Sequence, residues 1–243
     1  MNNSYTVLSK YYDKLIYDSQ YQKWVDYVSS VVKEYAKSKK GVDVACGTGI
    51  FTRALKKSGF DVIGIDLSQE MLEKAINLTA KENLSITYLK QNMKNLKLFE
   101  KVGFITCIND GLNYLSGVDF EKAIKSFSKN LISGGLLLFD ISSKYKLEKV
   151  LSNNMYGDNS EDLSYIWFNT KRDDSVEINV TFFEKIKDSY IRYDETQVQY
   201  IHSLEFVTNV LEKNNFNVIK VTGELFEDLK DNSLRQIFIA IKK

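Results

Sequence analysis

Residues 42–49, Val-Asp-Val-Ala-Cys-Gly-Thr-Gly, decide how this chain folds. The stretch is a short apolar run that carries one carboxylate, Asp43, and ends in a turn with two glycines, Gly47 and Gly49. Residues 51–58 then have the pattern of a helix. The sequence therefore predicts a strand, a tight turn and a helix. Glycines let the backbone of such a turn approach a ligand closely, and the amides of the first helical turn attract a negative group.

A second strand is predicted at residues 61–66, DVIGID, and it ends in another carboxylate, Asp66. Ser68 then has the position of an N-cap for a helix. In dinucleotide-binding folds a carboxylate at the end of the second strand accepts both hydroxyls of an adenosine ribose. Asp43 and Asp66 are therefore predicted to flank one crevice, and Asp43 needs a partner because an unpaired buried carboxylate is costly.

The rest of the chain predicts one α/β domain with an insertion. Continuous apolar strands separated by helices predict a parallel sheet with helices on both faces. Between residues 160 and 202 apolar and polar residues alternate instead, which is typical of antiparallel strands. Further core strands are predicted at 85–89, 102–108, 134–141, 216–222 and 234–241. The predicted organisation is a single domain over 1–243, with N-terminal lid helices in 1–37, the core in 38–144 and 203–243, and an antiparallel β insertion in 145–202.

Composition limits the partners and the cellular compartment. The 33 Lys and Arg residues almost balance the 32 Asp and Glu residues, so no overall field attracts a nucleic acid or a membrane. No apolar run approaches the roughly 20 residues that span a bilayer, and Met1–Lys10 lacks a signal-peptide pattern. Cys46 and Cys107, each placed in a predicted buried strand, are expected to be reduced thiols. We expect a cytoplasmic protein.

Two common nucleotide motifs do not fit the glycine turn. Thr52 stands where the third glycine of G-x-G-x-x-G would be, which argues against NAD, and no G-x-x-x-x-G-K-[ST] motif for ATP is present. Instead, VDVACGTG and IGIDLSQEML resemble the first two motifs of the class I S-adenosylmethionine-dependent methyltransferases. The resemblance covers most of the chain. It implies a Rossmann-like fold with a seven-stranded, mostly parallel sheet of order 3-2-1-4-5-7-6, the last strand antiparallel.

The resemblance also implies a role for each residue of the donor site. The turn after the first strand would bind the methionine end of S-adenosylmethionine, and Asp66 would hold the ribose. Asn92 stands where the family often has Asp at the adenine, and its side-chain oxygen could accept from the adenine amino group or cap a turn. Ser133-Gly134-Gly135 matches a structural turn before the fifth strand. The implied cofactor-binding residues are Asp43, Ala45, Cys46, Gly47, Thr48, Gly49, Asp66, Leu67, Asn92, Met93 and Asn109.

The acceptor side has no strong catalytic motif. Transfer from a sulfonium is an in-line displacement of an already activated methyl group, so the protein mainly aligns the nucleophile and excludes water. A general base helps only if a proton must leave the acceptor. Asp110 and His202 are the candidate bases, although Asp110 could equally cap a turn and a lone histidine is more often structural. The catalytic residue stays unassigned.

The segment Tyr11–Leu15 and the strands of 160–202 resemble the lid and the cover sheet of the small-molecule branch of the family, which includes nucleotide-sugar and glycine- or sarcosine-type N-methyltransferases. Tyr12 is the lid candidate, beside Asp110 and His202, for a role at the reaction centre. Core packing of the insertion explains some of its aromatic residues equally well. The candidate pocket walls are Tyr165, Trp167, Tyr193 and Tyr200.

The sequence therefore predicts methyl transfer to a small-molecule acceptor such as an amine. S-adenosylmethionine is the expected cofactor, S-adenosylhomocysteine the product, and no metal is expected. Two alternatives remain. One is an RNA or protein methyltransferase, although the basic block is limited to Lys37, Lys39 and Lys40. The other is a non-catalytic nucleotide-binding protein with the same fold.

Overall fold

The computed structural model describes residues 21–225 and 227–243. Tyr12 and most of the predicted lid lie outside these residues. The strands are β1 Lys40–Val44, β2 Asp61–Asp66, β3 Tyr88–Lys90, β4 Val102–Cys107, β5 Leu131–Ser142, β6 Met155–Asn159, β7 Leu163–Lys171, β8 Ser175–Ile186, β9 Ser189–Tyr200, β10 Phe216–Thr222 and β11 Arg235–Lys242. The α-helices are α1 Tyr21–Tyr35, α2 Ile50–Lys57, α3 Gln69–Lys81, α4 Gly117–Asn130 and α5 Leu204–Lys213.

Seven strands form the central sheet, in the order β3-β2-β1-β4-β5-β11-β10. The pairs β2–β3, β1–β2, β1–β4 and β4–β5 are parallel, whereas β11 runs antiparallel to both of its neighbours. With the four inserted strands left out of the numbering, this is the predicted order 3-2-1-4-5-7-6. The predicted Rossmann-like fold is therefore confirmed, and the carboxyl ends of β1, β2 and β4 share the edge where such sheets bind ligands.

Helices cover both faces of the central sheet. Successive strand residues point to opposite sides, so each strand supplies apolar side chains to both layers. Leu137 and Phe139 of β5 pack in the cluster that contains buried residues of α4 and α5. Leu136 and Leu138 pack in the cluster that contains buried residues of α1 and α2. Phe139 lies parallel to Phe238 of β11, with ring centroids 4.8 Å apart. The edge that carries the polar residues is therefore fixed by two apolar layers.

The structure corrects three local predictions. β3 begins at Tyr88 rather than at residue 85, because it is an edge strand that pairs only with β2. Ser133-Gly134-Gly135 lies inside β5 as an irregularity, where the β4–β5 register shifts, and not as a turn before the strand. Gly134 permits this irregularity because its φ is +76°. Cys46 lies in the turn beyond β1 and is partly exposed, whereas Cys107 is buried in β4.

A second sheet is built from the segment 155–200. Its strands are antiparallel in the order β6-β7-β8-β9. A π-helical turn, Lys146–Leu151, connects β5 to this sheet, and its buried residues Leu147 and Leu151 pack against Val176 and Ile178 of β8. The second sheet is thereby anchored next to the ligand-binding edge of the central sheet. No helix in the described ranges has the length and apolar character needed to cross a bilayer.

Candidate active site

A cavity of about 620 Å³ lies between the ligand-binding edge of the central sheet and the antiparallel sheet. This volume is in the range of pockets that bind small molecules. Its first end, called here the donor end, is lined among others by Ala45, Gly47, Asp66, Leu67, Asn92, Met93 and Asn109. Its second end, the acceptor end, is lined by side chains of the antiparallel sheet together with Asp110, Lys146 and Arg235. The structure thus gathers most of the predicted donor-binding residues at one end.

The turn after β1 shapes the donor end through its backbone. Ala45, Gly47 and Gly49 all have positive φ, of 53°, 53° and 75°. The Gly49 amide donates to the carbonyl of Cys46 at 2.9 Å, which closes the turn just before α2 begins. Cys46, Thr48 and Asp43 line a smaller recess beside the main cavity. A non-glycine residue such as Ala45 in the left-handed region is uncommon and is often found at functional sites.

Asp43 has the partners that its burial requires. Its carboxylate accepts from Thr52 Oγ1 at 2.6 Å and from Thr106 Oγ1 at 2.8 Å. Thr106 stands opposite Asp43 on the neighbouring strand β4, and all three residues are at most 2% exposed. Burial raises the pKa of Asp43 to about 6, although both hydroxyl hydrogen bonds oppose that shift. The carboxylate is therefore a fixed part of the interior beneath the turn.

This raised pKa gives a testable pH dependence of stability. The folded protein binds a proton at Asp43 more readily than the unfolded chain, so stability from this group is present below pH 4 and is lost as pH rises through 6. We expect the free energy of unfolding of the wild type to fall by about 3 kcal/mol relative to Asp43→Asn over that range. Urea denaturation of both proteins between pH 4 and 7 measures the difference. A difference that stays constant with pH would contradict the assignment.

Asp66 lines the donor end and is held by backbone amides. Its Oδ2 accepts from the amide of Gly47 at 2.8 Å, and its Oδ1 accepts from the amide of Ser68 at 2.9 Å. Burial raises the pKa of Asp66, and these amides partly oppose the rise. Each carboxylate oxygen has a second acceptor position. Asp66 can therefore accept two further hydrogen bonds from a ligand, and the exposed side chain of Leu67 lies beside it in the cavity lining.

Asn92 caps a turn, which is one of the two arrangements that the sequence left open, and it also lines the cavity. Its Oδ1 accepts from the amide of Lys94 at 3.0 Å and so caps a short 3₁₀ turn, Met93–Asn95. Asn92 and Met93 nevertheless line the cavity. Because an amide oxygen has two lone pairs and the side-chain NH₂ is also present, Asn92 keeps polar positions for a ligand. The turn holds these two residues at the donor end.

Asn109 and Asp110 follow β4 as two consecutive residues with positive φ, 66° and 50°. Asp140, at the end of β5 and fully buried, accepts from both of their amides, at 2.7 Å and 3.3 Å. Arg235 forms ion pairs with Asp140 and, at 3.5 Å, with Asp110. The Trp24 ring lies 5.6 Å from the Arg235 guanidinium carbon. These contacts hold Asn109 and Asp110, which line the cavity, in an uncommon backbone conformation.

Sequence reasoning missed Asp140 and Arg235. The available signal was the same as for Asp43, namely a carboxylate inside an apolar strand, here in LLLFDIS. Such a residue must have a partner, but the partner comes from β11, 95 positions further along the chain. The sequence could have identified Asp140 as a site residue, but not Arg235 as its counter-ion.

The two candidate bases, Asp110 and His202, have different environments in the structure. Burial alone would raise the pKa of Asp110, but Arg235, Lys146 and hydrogen bonds from Ser142 and Gln199 outweigh burial and lower it. Asp110 is therefore an ionised, well-bound carboxylate that accepts a proton poorly. His202 is outside the cavity lining: its Nε2 contacts the Leu115 carbonyl at 3.0 Å, and burial lowers its pKa.

His202 instead takes part in core packing. Its ring centroid lies 4.7 Å from that of Phe120 and 5.4 Å from that of Phe206, and the side chain is 3% exposed. This is the structural arrangement that the sequence offered as the alternative for a lone histidine. Neither Asp110 nor His202 thus has the environment of an effective proton acceptor.

One face of the antiparallel sheet forms the wall of the acceptor end. Alternation along β7, β8 and β9 places every second side chain on this face. Gln199 donates to Asp110 Oδ2 at 3.0 Å, and Tyr114 Oη donates to Gln197 at 3.1 Å, so the wall is tied to the loop after β4. Tyr193 and Tyr200 are not among the lining residues, in contrast to Tyr165 and Trp167. The wall consists of Tyr165, Trp167, Ile178, Val180, Phe182, Glu195, Gln197 and Gln199.

Within the residues that the structure describes, no group of three or more His, Cys, Asp or Glu side chains is arranged to hold a metal ion.

Comparison with known proteins places this site in a family. A family model described as a methyltransferase domain matches residues 42–135. A protein of Geobacillus sp. (strain WCH70) that is named as a methyltransferase is 32% identical, and the alignment covers 99% of this chain and 100% of that protein.

Solved structures agree with this match. The crystal structure of an S-adenosylmethionine-dependent methyltransferase from Clostridium acetobutylicum ATCC 824 is 30% identical, with a TM-score of 0.90 and 98% of each chain covered. CalS10 of Micromonospora echinaspora, described as an amino pentose methyltransferase, shares the fold, with a TM-score of 0.74 and 16% identity over 98% of this chain and 97% of that chain. The glycine turn, the two strand-end carboxylates and the full-length similarity together show that this chain belongs to the class I S-adenosylmethionine-dependent methyltransferases.

Proposed function

We propose that this methyltransferase transfers the methyl group to a small organic acceptor, with an amine as the first candidate. The observation that carries the proposal is the shape of the cavity. It runs from the donor end to a wall made by one face of the antiparallel sheet, within about 620 Å³. A cavity of this size suits a small molecule. The mixture of aromatic and polar side chains on the wall suits an organic molecule with both ring-contacting and hydrogen-bonding groups.

The donor end fits S-adenosylmethionine. Asp66 has acceptor positions for the ribose hydroxyls, and a Cβ placed on Gly47 would meet no atom within 4 Å, so the turn leaves open space for a ligand. We assign the turn of residues 45–49 above Asp43 to the methionine end. Leu67, Asn92 and Met93 are assigned to the adenine, and Asn109 to the region of the sulfonium.

S-adenosylmethionine, when bound, supplies a methyl group that needs no further activation by the protein. The task of the chain is to align the acceptor and to exclude water. The antiparallel sheet covers the reaction centre, and Asp110 presents a carboxylate that stays ionised. Such a fixed negative charge stabilises positive charge that develops on an attacking nitrogen.

Two features favour an amine acceptor. Tyr165 and Trp167 present aromatic rings to the cavity, and a cationic or polarised group rests favourably on an aromatic face. Asp110 and the nearly buried Glu195 add carboxylates at the same end. CalS10, a protein of the same fold, is described as an amino pentose methyltransferase, so amino sugars are a sensible first class to test. We also propose a cytoplasmic location, in keeping with two free thiols.

Calorimetry and an acceptor screen test the proposed function. We expect S-adenosylmethionine and S-adenosylhomocysteine to bind the purified protein, and NAD and ATP, as controls, not to bind. Matched pairs such as glucosamine with glucose and ethanolamine with ethylene glycol are then incubated with S-adenosylmethionine, and release of S-adenosylhomocysteine is measured. Turnover with the amine of a pair supports the proposal. Turnover only with the alcohols, or only with RNA or protein substrates, would overturn the amine or the small-molecule assignment respectively.

Asp66→Ala tests the ribose assignment. Removing the carboxylate deletes the expected acceptor of the ribose hydroxyls, so we expect donor binding to weaken by roughly 1 to 3 kcal/mol. Calorimetric titration with S-adenosylhomocysteine measures the change. The matched control is Asp61→Ala, at the opposite, exposed end of the same strand β2, which should bind as the wild type does. Equal affinity of a folded Asp66→Ala protein and the control would reject the assignment.

A further inference from the structure

Lys146 lies at the acceptor end in a position that the backbone fixes. It begins the π-helical turn Lys146–Leu151, and its amide donates to Ser143 Oγ at 3.0 Å. The next residue, Leu147, is fully buried in the cluster beneath the antiparallel sheet. Lys146 is one of the residues that line the cavity. π-helical turns are rare and are frequently found at functional sites.

The hydrogen bonds around Nζ leave it able to contact a ligand. Nζ donates to Ser142 Oγ at 3.1 Å, and Ser142 Oγ donates its own proton to Asp110 Oδ2 at 2.9 Å. The serine hydroxyl therefore accepts from Lys146 and cannot donate to it. A neutral Lys146 amine keeps this bond with one N–H and has a lone pair to present to the cavity.

The charges that face Lys146 come from four different parts of the fold. Burial is the largest influence and lowers the pKa of Lys146, and Arg235 on β11 lowers it further. Asp110 after β4, Asp140 on β5 and Glu224 after β10 oppose these effects, but they do not reverse them. Lys146 therefore releases its proton more readily than an ordinary lysine. The nearby carboxylates stabilise its charged form once it has taken up a proton.

The other titratable groups at this end are less suited to take up a proton. Asp110 is held ionised and its pKa is lowered, and an arginine such as Arg235 stays protonated at any physiological pH. Burial raises the pKa of Tyr165, so its phenol keeps its proton. His202 lies in the core and not in the cavity lining. Glu195 is the remaining carboxylate of the wall and is the alternative that the experiment below must separate.

We propose that Lys146 contacts the acceptor and takes up the proton that the nucleophilic atom of the acceptor loses during methyl transfer; this inference rests on the proposed function. The acceptor lone pair forms the bond to the methyl carbon while the carbon–sulfur bond breaks and its electron pair stays on sulfur. The proton on the acceptor atom passes to the lone pair of neutral Nζ. The resulting ammonium faces Asp110 and Asp140 and later loses the proton to solvent.

The first test needs no acceptor. The protein, with S-adenosylhomocysteine bound, is acetylated with trace acetic anhydride between pH 6 and 11, and the extent of labelling of Lys146 is followed by mass spectrometry. We expect its titration midpoint to lie below about 10.4, the ordinary value for lysine. Asp110→Asn should lower the midpoint further, because it removes the carboxylate that favours the ammonium form. A midpoint at or above the ordinary value would overturn the proposal.

The second test compares Lys146→Met, Lys146→Arg and, as a matched control, Lys144→Met at the exposed neighbouring lysine. With an acceptor from the screen, we expect both Lys146 variants to lose about 10²- to 10⁴-fold in methyl-transfer rate. The rise of the wild-type rate with pH through the Lys146 midpoint should disappear in both. The Lys144 variant should behave as the wild type.

The Lys146→Arg variant distinguishes proton uptake from a purely electrostatic or structural role, because arginine keeps the positive charge but cannot accept the proton. Recovery of activity in Lys146→Arg, or a pH profile that only a Glu195→Gln variant changes, would overturn the proposal. Calorimetry with S-adenosylhomocysteine should give the wild-type affinity for all Lys146 variants. Failure of the wild type to bind S-adenosylhomocysteine would instead count against the proposed function. Failure of the Lys146 proposal and failure of the proposed function are therefore distinguishable.

Discussion

Asp140→Ala is expected to lower the free energy of unfolding by about 3 to 5 kcal/mol, because it removes the fully buried partner of Arg235, whose side chain is only 18% exposed. The Asp140 side chain is fully buried and bonds to Arg235 and to the amides of Asn109 and Asp110. Without it, the longer contact to Asp110, at 3.5 Å, remains as an ion pair of the guanidinium, and two part-buried amides lose their acceptor. Urea denaturation at constant pH measures the change.

Two further variants show whether the charge pair explains this effect. Asp194→Ala removes an exposed carboxylate that bonds to Arg192, and should cost at most about 1 kcal/mol. Asp140→Leu combined with Arg235→Met removes both charges at once, and should be more stable than Asp140→Ala because it does not leave the largely buried guanidinium without its partner Asp140. If Asp140→Ala costs no more than Asp194→Ala, the proposed importance of this pair is wrong.

The same variant should also weaken donor binding. Asp140 accepts from the two amides that keep Asn109 and Asp110 at positive φ, so the loop can relax once the carboxylate is gone. Calorimetry with S-adenosylhomocysteine, at a temperature where the variant is folded, is expected to show a lower affinity. An unchanged affinity would mean that the loop keeps its shape without Asp140.

Gly49→Ala should be the second damaging change, through both strain and a steric clash. Gly49 has a φ of +75°, and a Cβ there would lie 2.5 Å from Tyr88 Oη. The left-handed conformation costs an L-residue about 1 to 2 kcal/mol, and overpacking adds about 1 to 3 kcal/mol. We expect a total loss of about 2 to 5 kcal/mol in stability, together with a marked loss of donor affinity, because the turn of residues 45–49 must move.

Gly59→Ala is the matched control. Its φ of +88° is as unfavourable for alanine, but a Cβ there would meet no atom within 4 Å. The control should therefore show the strain alone, and should bind S-adenosylhomocysteine with nearly wild-type affinity. Tyr88→Phe in the Gly49→Ala background should recover part of the difference, because it removes the hydroxyl that causes the closest contact. Equal effects of the two glycine substitutions would exclude the steric contribution.

Much of the fold could be predicted from local patterns. The apolar run and glycine turn of residues 42–49 are formed by neighbours in sequence, so their structure follows from residue types and spacing. The helix after Ser68 is equally local, and Ser68 accepts from the amide of Met71 as an N-cap should. The strand order was predicted through the family resemblance, and the structure confirms it. The predicted ends of the strands were less accurate, as β3 and the irregular start of β5 show.

The candidate site was predicted only in part. Asp43 and Asp66 were recognisable because a carboxylate at the end of an apolar strand is unusual. The partner of Asp43 on β4 is 63 positions away, and the hydrogen bond between Gln199 and Asp110 spans 89 positions. No periodicity in the sequence reports such contacts, since they depend on which strands become neighbours and in which register.

The sequence by itself therefore determined the alternation of strands and helices, the glycine turn and the two carboxylates Asp43 and Asp66, because these features arise from short-range patterns. The sheet order of the Rossmann-like fold followed from the family resemblance. Only the tertiary structure decided the protonation behaviour and the accessibility of the acceptor-end groups. Asp110, Lys146 and Arg235 come from three distant segments, and their charges influence one another only after folding has brought them together and excluded water. The pKa of a buried group depends on these neighbours and on its burial, and neither is encoded in local sequence.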